Sequence, residues 1–277
     1  MIGKLNKRVR LIESIFVAYP ASHDYLSYYY YDWMARISRS TRKLYIGGLF
    51  VQDGRIIIGF GVGFFEDDFL DHDSKEALSL LLDETRRVKN LLNVRQYTFS
   101  GVLPGVLFVK RLRKDVPELA TTLSAVLKAE YVVRVKELLP ESTPVVVLGG
   151  EGFIGRKVVS KLREMNREVH SVDILGSNTF PSDLRGQRII LLNVTKKAAL
   201  TEYLGLLWND VVILNEVYPE PAPCEVMQIR GIGCKIYHIV GIKAFSVPSF
   251  PGAYNGGIPC CAALDVESME VLIKELM

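Results

Sequence analysis

A glycine cluster past the midpoint of the chain constrains the fold more than any other feature. In "TPVVVLGGEGFIGRKVVSKLREMNREVHSVDI", Thr143 to Ile174, four apolar residues run into Gly149. A helical pattern opens at Gly155, and a second apolar run closes at Asp173. Glycines after a buried strand allow a tight turn, a close backbone approach to a ligand and tight packing of the next helix. The free N–H groups and positive dipole end of that helix make an anion site.

The boundary ahead of this segment is "LLPESTP", Leu138 to Pro144, with two prolines among small polar residues. It divides the 277 residues into domains 1–142 and 143–277. In the first, "LYIGGLFVQDGRIIIGFGVGFF" reads as a β-hairpin about Asp53-Gly54. A helix follows Asp73, with Glu76 placed as its capping-box partner. A second long helix covers "VPELATTLSAVLKAEYVVRVKELL", and the domain is α+β. In the second domain, "VVVL", "REVHSV", "RIILLNV", "DVVILNEV" and "CKIYHIV" are short, near-continuously apolar strands. Helical patterns at Phe153–Asn166 and Lys196–Leu207 separate two pairs of them. The predicted fold is α/β: a C-terminal Rossmann-type doubly wound parallel sheet preceded by a smaller α+β domain.

Gly150-Glu151-Gly152-Phe153-Ile154-Gly155 matches G-x-G-x-x-G between a strand and a helix, the context that gives the motif meaning. Gly150 is assigned the tight turn, Gly152 the approach to a pyrophosphate, and Gly155 the close helix packing. Phe153 and Ile154 complete the loop. Asp173 is placed to accept hydrogen bonds from both adenosine ribose hydroxyls, which favours NAD over NADP. Asn193, ending the third strand, is the remaining expected cofactor contact. Glu151 argues the other way, for a Rossmann-like sheet without its nucleotide, because its charge beside a pyrophosphate is costly unless it turns to solvent.

The loop "GGEGFIG" resembles that of extended short-chain dehydrogenases and sugar-nucleotide epimerases. Those enzymes also need a Tyr-x-x-x-Lys pair, and Tyr203, Tyr218, Tyr237 and Tyr254 all lack the lysine. In layout the chain is similar to shikimate dehydrogenases, methylene-tetrahydrofolate dehydrogenases, glutamyl-tRNA reductases and acyl-carrier-protein reductases, whose catalytic domain precedes the Rossmann domain. The likeness to acyl-carrier-protein reductases extends to "SGVLPGVLF" and "TTLSAVLKAEYVVRVKEL". It implies a long helix entering the dinucleotide domain, here Val116–Leu139, and a C-terminal helix returning to the first domain, here Cys260–Met277. It also implies an active site in an interdomain cleft.

Three residues are candidates for the reacting groups. Cys260, with Cys261 beside it, follows Pro259 at the start of the last helical pattern, where a helix dipole eases thiol ionisation. The alternative is two small residues packed under that helix. His238 lies in the fifth strand, on one face with Cys234, so a core role suffices and no metal site is expected. Lys243 lies just beyond, within reach of a carbonyl or phosphate, or else solvated. In the first domain "EDDFLDHD" crowds carboxylates around His72, as a cation site or an acidic loop capping a helix. The aromatic "YLSYYYYDW" and the neighbours His23 and Asp24 are further candidates for a substrate or oligomer surface.

A formal net charge of +3, spread along the chain, gives no concentrated basic stripe for nucleic acid. No apolar run has the length of a membrane span or the form of a signal peptide. All four cysteines fall in the last quarter, in no secreted disulfide pattern, so the cytoplasm is the expected location. The sequence thus predicts a two-domain NAD-dependent oxidoreductase acting on a small carbonyl compound or acyl thioester. Its partner is a small-molecule substrate, with neither nucleic acid nor membrane, and a homodimer is left open. The alternative is a non-catalytic NAD(H)-binding protein that presents its first domain to a partner.

Overall fold

The computed structural model describes residues 2–20, 32–174, 176, 179–195, 199–250, 254 and 256–277. The chain forms two compact units: Met1–Thr121 with Gly241–Glu270, and Thr122–Val240 with Val271–Met277. In chain order the first unit begins with α1 (Ile2–Val9), β1 (Ile12–Ala18), α2 (Asp32–Thr41), β2 (Tyr45–Gln52) and β3 (Arg55–Gly61). It continues through α3 (Glu66–Leu70), α4 (Lys75–Leu92), β4 (Gln96–Phe99) and α5 (Leu103–Val109), to α6 (Pro117–Lys136). The second unit adds β5 (Val145–Leu148), α7 (Gly155–Glu164), β6 (Val169–Val172), β7 (Ile190–Asn193) and α8 (Ala199–Tyr203). Then come β8 (Val212–Asn215), α9 (Pro223–Gly231) and β9 (Lys235–Lys243); β10 (Phe245–Val247) and β11 (Gly257–Ile258) belong to the first unit, and β12 (Val271–Glu275) to the second.

The first unit holds a mixed five-stranded sheet in the order β10-β2-β3-β1-β4. The hairpin β2–β3 closes on Asp53 and Gly54, both at positive φ, the conformation a two-residue turn of this hand requires. Helix α4 buries Leu78, Leu81, Leu82 and Thr85 at helical spacing against Ile15, Val17 and Phe99 of the sheet. Its cap differs from the expected one. Asp71, not Asp73, accepts a backbone N–H, that of Asp73 at 3.2 Å, because a 3-10 turn at His72–Ser74 precedes the helix.

In the second unit β6, β5, β7, β8 and β9 pair in that order, each parallel to its neighbours. One face is covered by Val126, Ala129 and Val133 of α6 with Val158 and Leu162 of α7. On the other lie Leu200 and Tyr203 of α8, Val226 and Ile229 of α9, Phe180 and Leu184. This is a doubly wound, Rossmann-like sheet. Counted from β5 its order is 2-1-3-4-5, with β5 at the point where the order reverses, where such sheets bind ligands. Between β6 and β7 the described residues form only a 3-10 turn, Ser182–Leu184.

Three expectations need correction. The units divide within α6, at Thr121/Thr122, rather than at 142/143, because the later turns of α6 fill the core under β5. The helical pattern at Lys196–Leu207 becomes the short α8 followed by a 3-10 turn, Leu204–Leu206; Lys196 itself lies outside the described residues. The C-terminal helix over Cys260–Met277 does not form. Cys260–Ala262 is a 3-10 turn, and Val271–Glu275 is the strand β12, paired with β9. Hydrogen bonds from Lys243 N to Glu270 O and from Leu276 N to Ile236 O make the pairing antiparallel. The physical reason is the open edge of β9, which offers unpaired backbone groups to a β-branched segment. Val271 and Ile273 pack on one face of the sheet and Leu276 on the other, which suits a period of two.

Candidate functional site

The glycine loop is built by close approaches between backbones. Gly149, rather than Gly150, takes the positive φ (+82°) that turns the chain off β5. Gly150 instead passes against β6: a Cβ there would lie 2.2 Å from Ser171 Oγ. Gly155 packs the first turn of α7 on the loop, and an added Cβ would meet Gly149 O at 1.9 Å. At Gly152 the one atom within 4 Å of an added Cβ is Gly149 O, at 3.1 Å; otherwise a Cβ would project into open space. That is the opening a pyrophosphate needs beside the positive end of the ten-residue helix α7. Ile154 turns into the core beside Val158, and Phe153 remains partly exposed.

Asp173, at the end of β6, accepts a hydrogen bond from Glu151 N at 3.0 Å. A carboxylate offers about four acceptor positions, so this bond is compatible with ribose hydroxyls on the same group. The Glu151 side chain has partners of its own. Its carboxylate accepts from Ser171 Oγ at 3.1 Å and from Arg156 Nε at 3.3 Å. These partners offset part of the charge that the sequence placed beside the loop.

A second polar cluster runs from the carboxyl ends of β7 and β8 into β9. Asn193, Asn215 and His238 occupy one register row of β7, β8 and β9. Thr195 N and Oγ1 donate to Asn193 Oδ1 at 3.3 and 2.6 Å, and Asn193 Nδ2 donates to Asn215 Oδ1 at 2.7 Å. Asn215 Nδ2 donates to Val217 O at 2.9 Å and meets His238 Nδ1 at 3.0 Å. The Tyr218 ring stands edge-on to His238, with centroids 4.6 Å apart. Burial, above all, lowers His238 to a pKa of about 4. Asn193 and Asn215 also line a small pocket of about 170 Å³ beside Thr201, Glu220 and Glu225. Such a volume falls below the roughly 300–1,000 Å³ of a full ligand pocket.

The expected residues therefore fall into three places. Gly150, Gly152, Phe153, Ile154, Gly155 and Asp173 come together at the end of β5 and β6. Asn193 and His238 belong to the buried row, and His238, fully buried and neutral, sits in the core. Cys260 and Lys243 belong to the first unit. Lys243 is exposed and paired with Glu270 at 2.9 Å. Cys260 is half-buried in a 3-10 turn, so the helix dipole expected to ionise it is missing. The neighbouring Cys261 thiol is pushed well up, first by its hydrogen bond with Cys260 and then by burial. Near it, Glu118 accepts from Arg113 Nη1 at 2.6 Å and from Phe99 N at 2.8 Å; burial raises its carboxyl against the pull of the guanidinium.

His23, Asp24 and Tyr25–Tyr31 lie outside the described residues. In the acidic loop, Asp68 caps Phe65 N at 2.8 Å and pairs with Arg39. Among the described residues, no group of three or more metal-ligating side chains converges, and no helix is long and apolar enough to cross a membrane. Sequence reasoning missed Ser171, Asn215 and Thr195. A signal for Asn215 was present: "ILLN" and "VILN" both end an apolar run in asparagine.

Residues 145–215, about a quarter of the chain, match the profile of the NAD dependent epimerase/dehydratase family. The match runs from β5 through β8, well beyond the ten or so residues of the loop. No curated protein matches the sequence. Among solved structures, quinate dehydrogenase from Corynebacterium glutamicum in complex with NAD is 15% identical, with 81% of this chain and 87% of that one covered at a TM-score of 0.38. For D-2-hydroxyisocaproate dehydrogenase the values are 11% identity, 80% and 77% coverage, and a TM-score of 0.30.

Proposed function

We propose that the protein is an NAD(H)-dependent oxidoreductase acting on a small carbonyl compound or acyl thioester. The observation that carries this reading is the pairing of Asp173 with the amide of Glu151, which fixes a carboxylate at the end of β6 beside the opening over Gly152. A ribose acceptor and a pyrophosphate cradle are then held by one loop. The family match over the same residues supports the reading. When bound, the nicotinamide supplies or accepts a hydride. The chain's own part is to seat the pyrophosphate on α7, orient the ribose through Asp173, and keep the Asn193–Asn215–His238 row rigid across the adjacent strands. His238 is read as positioning Asn215 and not as touching substrate.

The alternative, a non-catalytic NAD(H)-binding protein, is favoured by one observation. His238 and Cys261 are both buried and held in their neutral forms. Nicotinamide absorbance followed with a panel of aldehydes, 2-oxo acids and acyl thioesters separates the two. Substrate-dependent oxidation of NADH supports the enzyme; saturable NADH binding without turnover of any of them supports the binding protein.

A further inference from the structure

We infer that Glu151 is a second determinant of cofactor choice, one that excludes a phosphate on the adenosine 2′ position. The inference rests on the NAD reading above and assigns a role to a residue which that reading leaves idle. Ser171 and Asp173 are two residues apart at the end of β6, so their side chains lie on the same side. Ser171 Oγ donates to Glu151 Oε1 at 3.1 Å, and the amide of Glu151 donates to Asp173 Oδ2 at 3.0 Å. Two carboxylates are thereby tied to the same side of one strand end. Gly176 passes close by: a Cβ there would lie 3.1 Å from Glu151 Cγ.

The charges decide the consequence. Ribose hydroxyls need acceptors, and carboxylates supply them. A 2′-phosphate brings negative charge against both groups, and like charges at short range are mutually unfavourable. Arg156, two-thirds exposed on α7, is the cation paired with Glu151 at 3.3 Å. While Glu151 is charged, that guanidinium is neutralised. With the charge removed, the same guanidinium becomes a phosphate ligand. Were Asp173 the sole determinant, a change at Glu151 would leave the preference untouched.

The test is fluorescence titration of the full chain with NADH and NADPH, with thermal unfolding run alongside. Glu151→Gln keeps the shape and the acceptor for Ser171 while removing the charge. It should raise NADPH affinity by about tenfold or more and leave NADH affinity within about threefold. Arg156→Gln, which leaves Glu151 without its counter-charge, should move the ratio the other way. An NADH-to-NADPH ratio unchanged in Glu151→Gln, or moved towards NADPH in Arg156→Gln, overturns the role of Glu151 while the NAD reading stands. A wild-type protein that binds neither cofactor removes both.

Discussion

Asn215 Nδ2 donates to His238 Nδ1 across 3.0 Å, and this contact selects the tautomer of a fully buried imidazole. The direction of the bond follows from both ends of the row. Thr195 N can only donate, so Asn193 presents its oxygen there; Val217 O can only accept, so Asn215 presents its nitrogen. Nδ1 of His238 is therefore the acceptor, and the proton sits on Nε2, a buried atom with no hydrogen-bond partner among the described residues.

Burial of this imidazole makes the second unit sensitive to acid. Well above pH 6.5 the imidazole is neutral in both folded and unfolded chains, so it contributes no pH dependence there. Below 6.5 the unfolded chain takes up a proton that the folded one, with a pKa of about 4, refuses, so stability falls as pH falls. Between pH 6.5 and 4.5 the loss from this group is about 2–3 kcal/mol. Urea unfolding of wild type and His238→Gln at those two pH values checks it. The variant should lose that much less than wild type.

Asn215→Leu should destabilise by about 1–3 kcal/mol, since it leaves Asn193 Nδ2 and His238 Nδ1 buried without their partner. The same denaturation measurement reads this out. A value near zero would mean that water replaces the amide and that the row is not dry.

Gly155→Ala sets a methyl against Gly149 O, so an overpacking penalty of about 1–3 kcal/mol is expected. Gly231→Ala is the matched comparison, with nothing within 4 Å of the added Cβ at the end of α9. It should be neutral or stabilising by up to about 1 kcal/mol. Thermal melts of the two variants should therefore move in different directions.

In the first unit, Arg113→Ala should cost about 3–5 kcal/mol, because it strands the buried Glu118 carboxylate beside Phe99 N. Arg113→Ala with Glu118→Gln should recover part of that loss. Equal stability of the single and double variants would show that Glu118 takes up a proton once Arg113 is gone.

Much of this was legible in local pattern. The apolar strands β5, β7 and β8 declare themselves as buried runs, and the glycines between β5 and α7 declare a ligand loop. What local pattern could not show depended on neighbours distant in sequence. "MEVLIKEL" carries leucines and charges compatible with a helix, and only the open edge of β9 makes it a strand. The turn falls on Gly149 and not Gly150, because Ser171 of β6 claims the space beside Gly150. Glu151 looked like an obstacle until Ser171 and Arg156 supplied it with partners. Cys260 looked activated only on the supposition of a helix that the chain does not form.

The central claim is that the loop from Gly149 to Gly155 and the carboxylate of Asp173 together hold NAD. Its most direct test is calorimetric titration of the full chain with NADH, NADPH and, in Asp173→Ala, NADH again. Saturable NADH binding, tighter than NADPH and weakened by about 1–3 kcal/mol in Asp173→Ala, is the result expected for charge-assisted bonds to the ribose. Absence of saturable binding to wild type, or NADH affinity unchanged without the carboxylate, would contradict it.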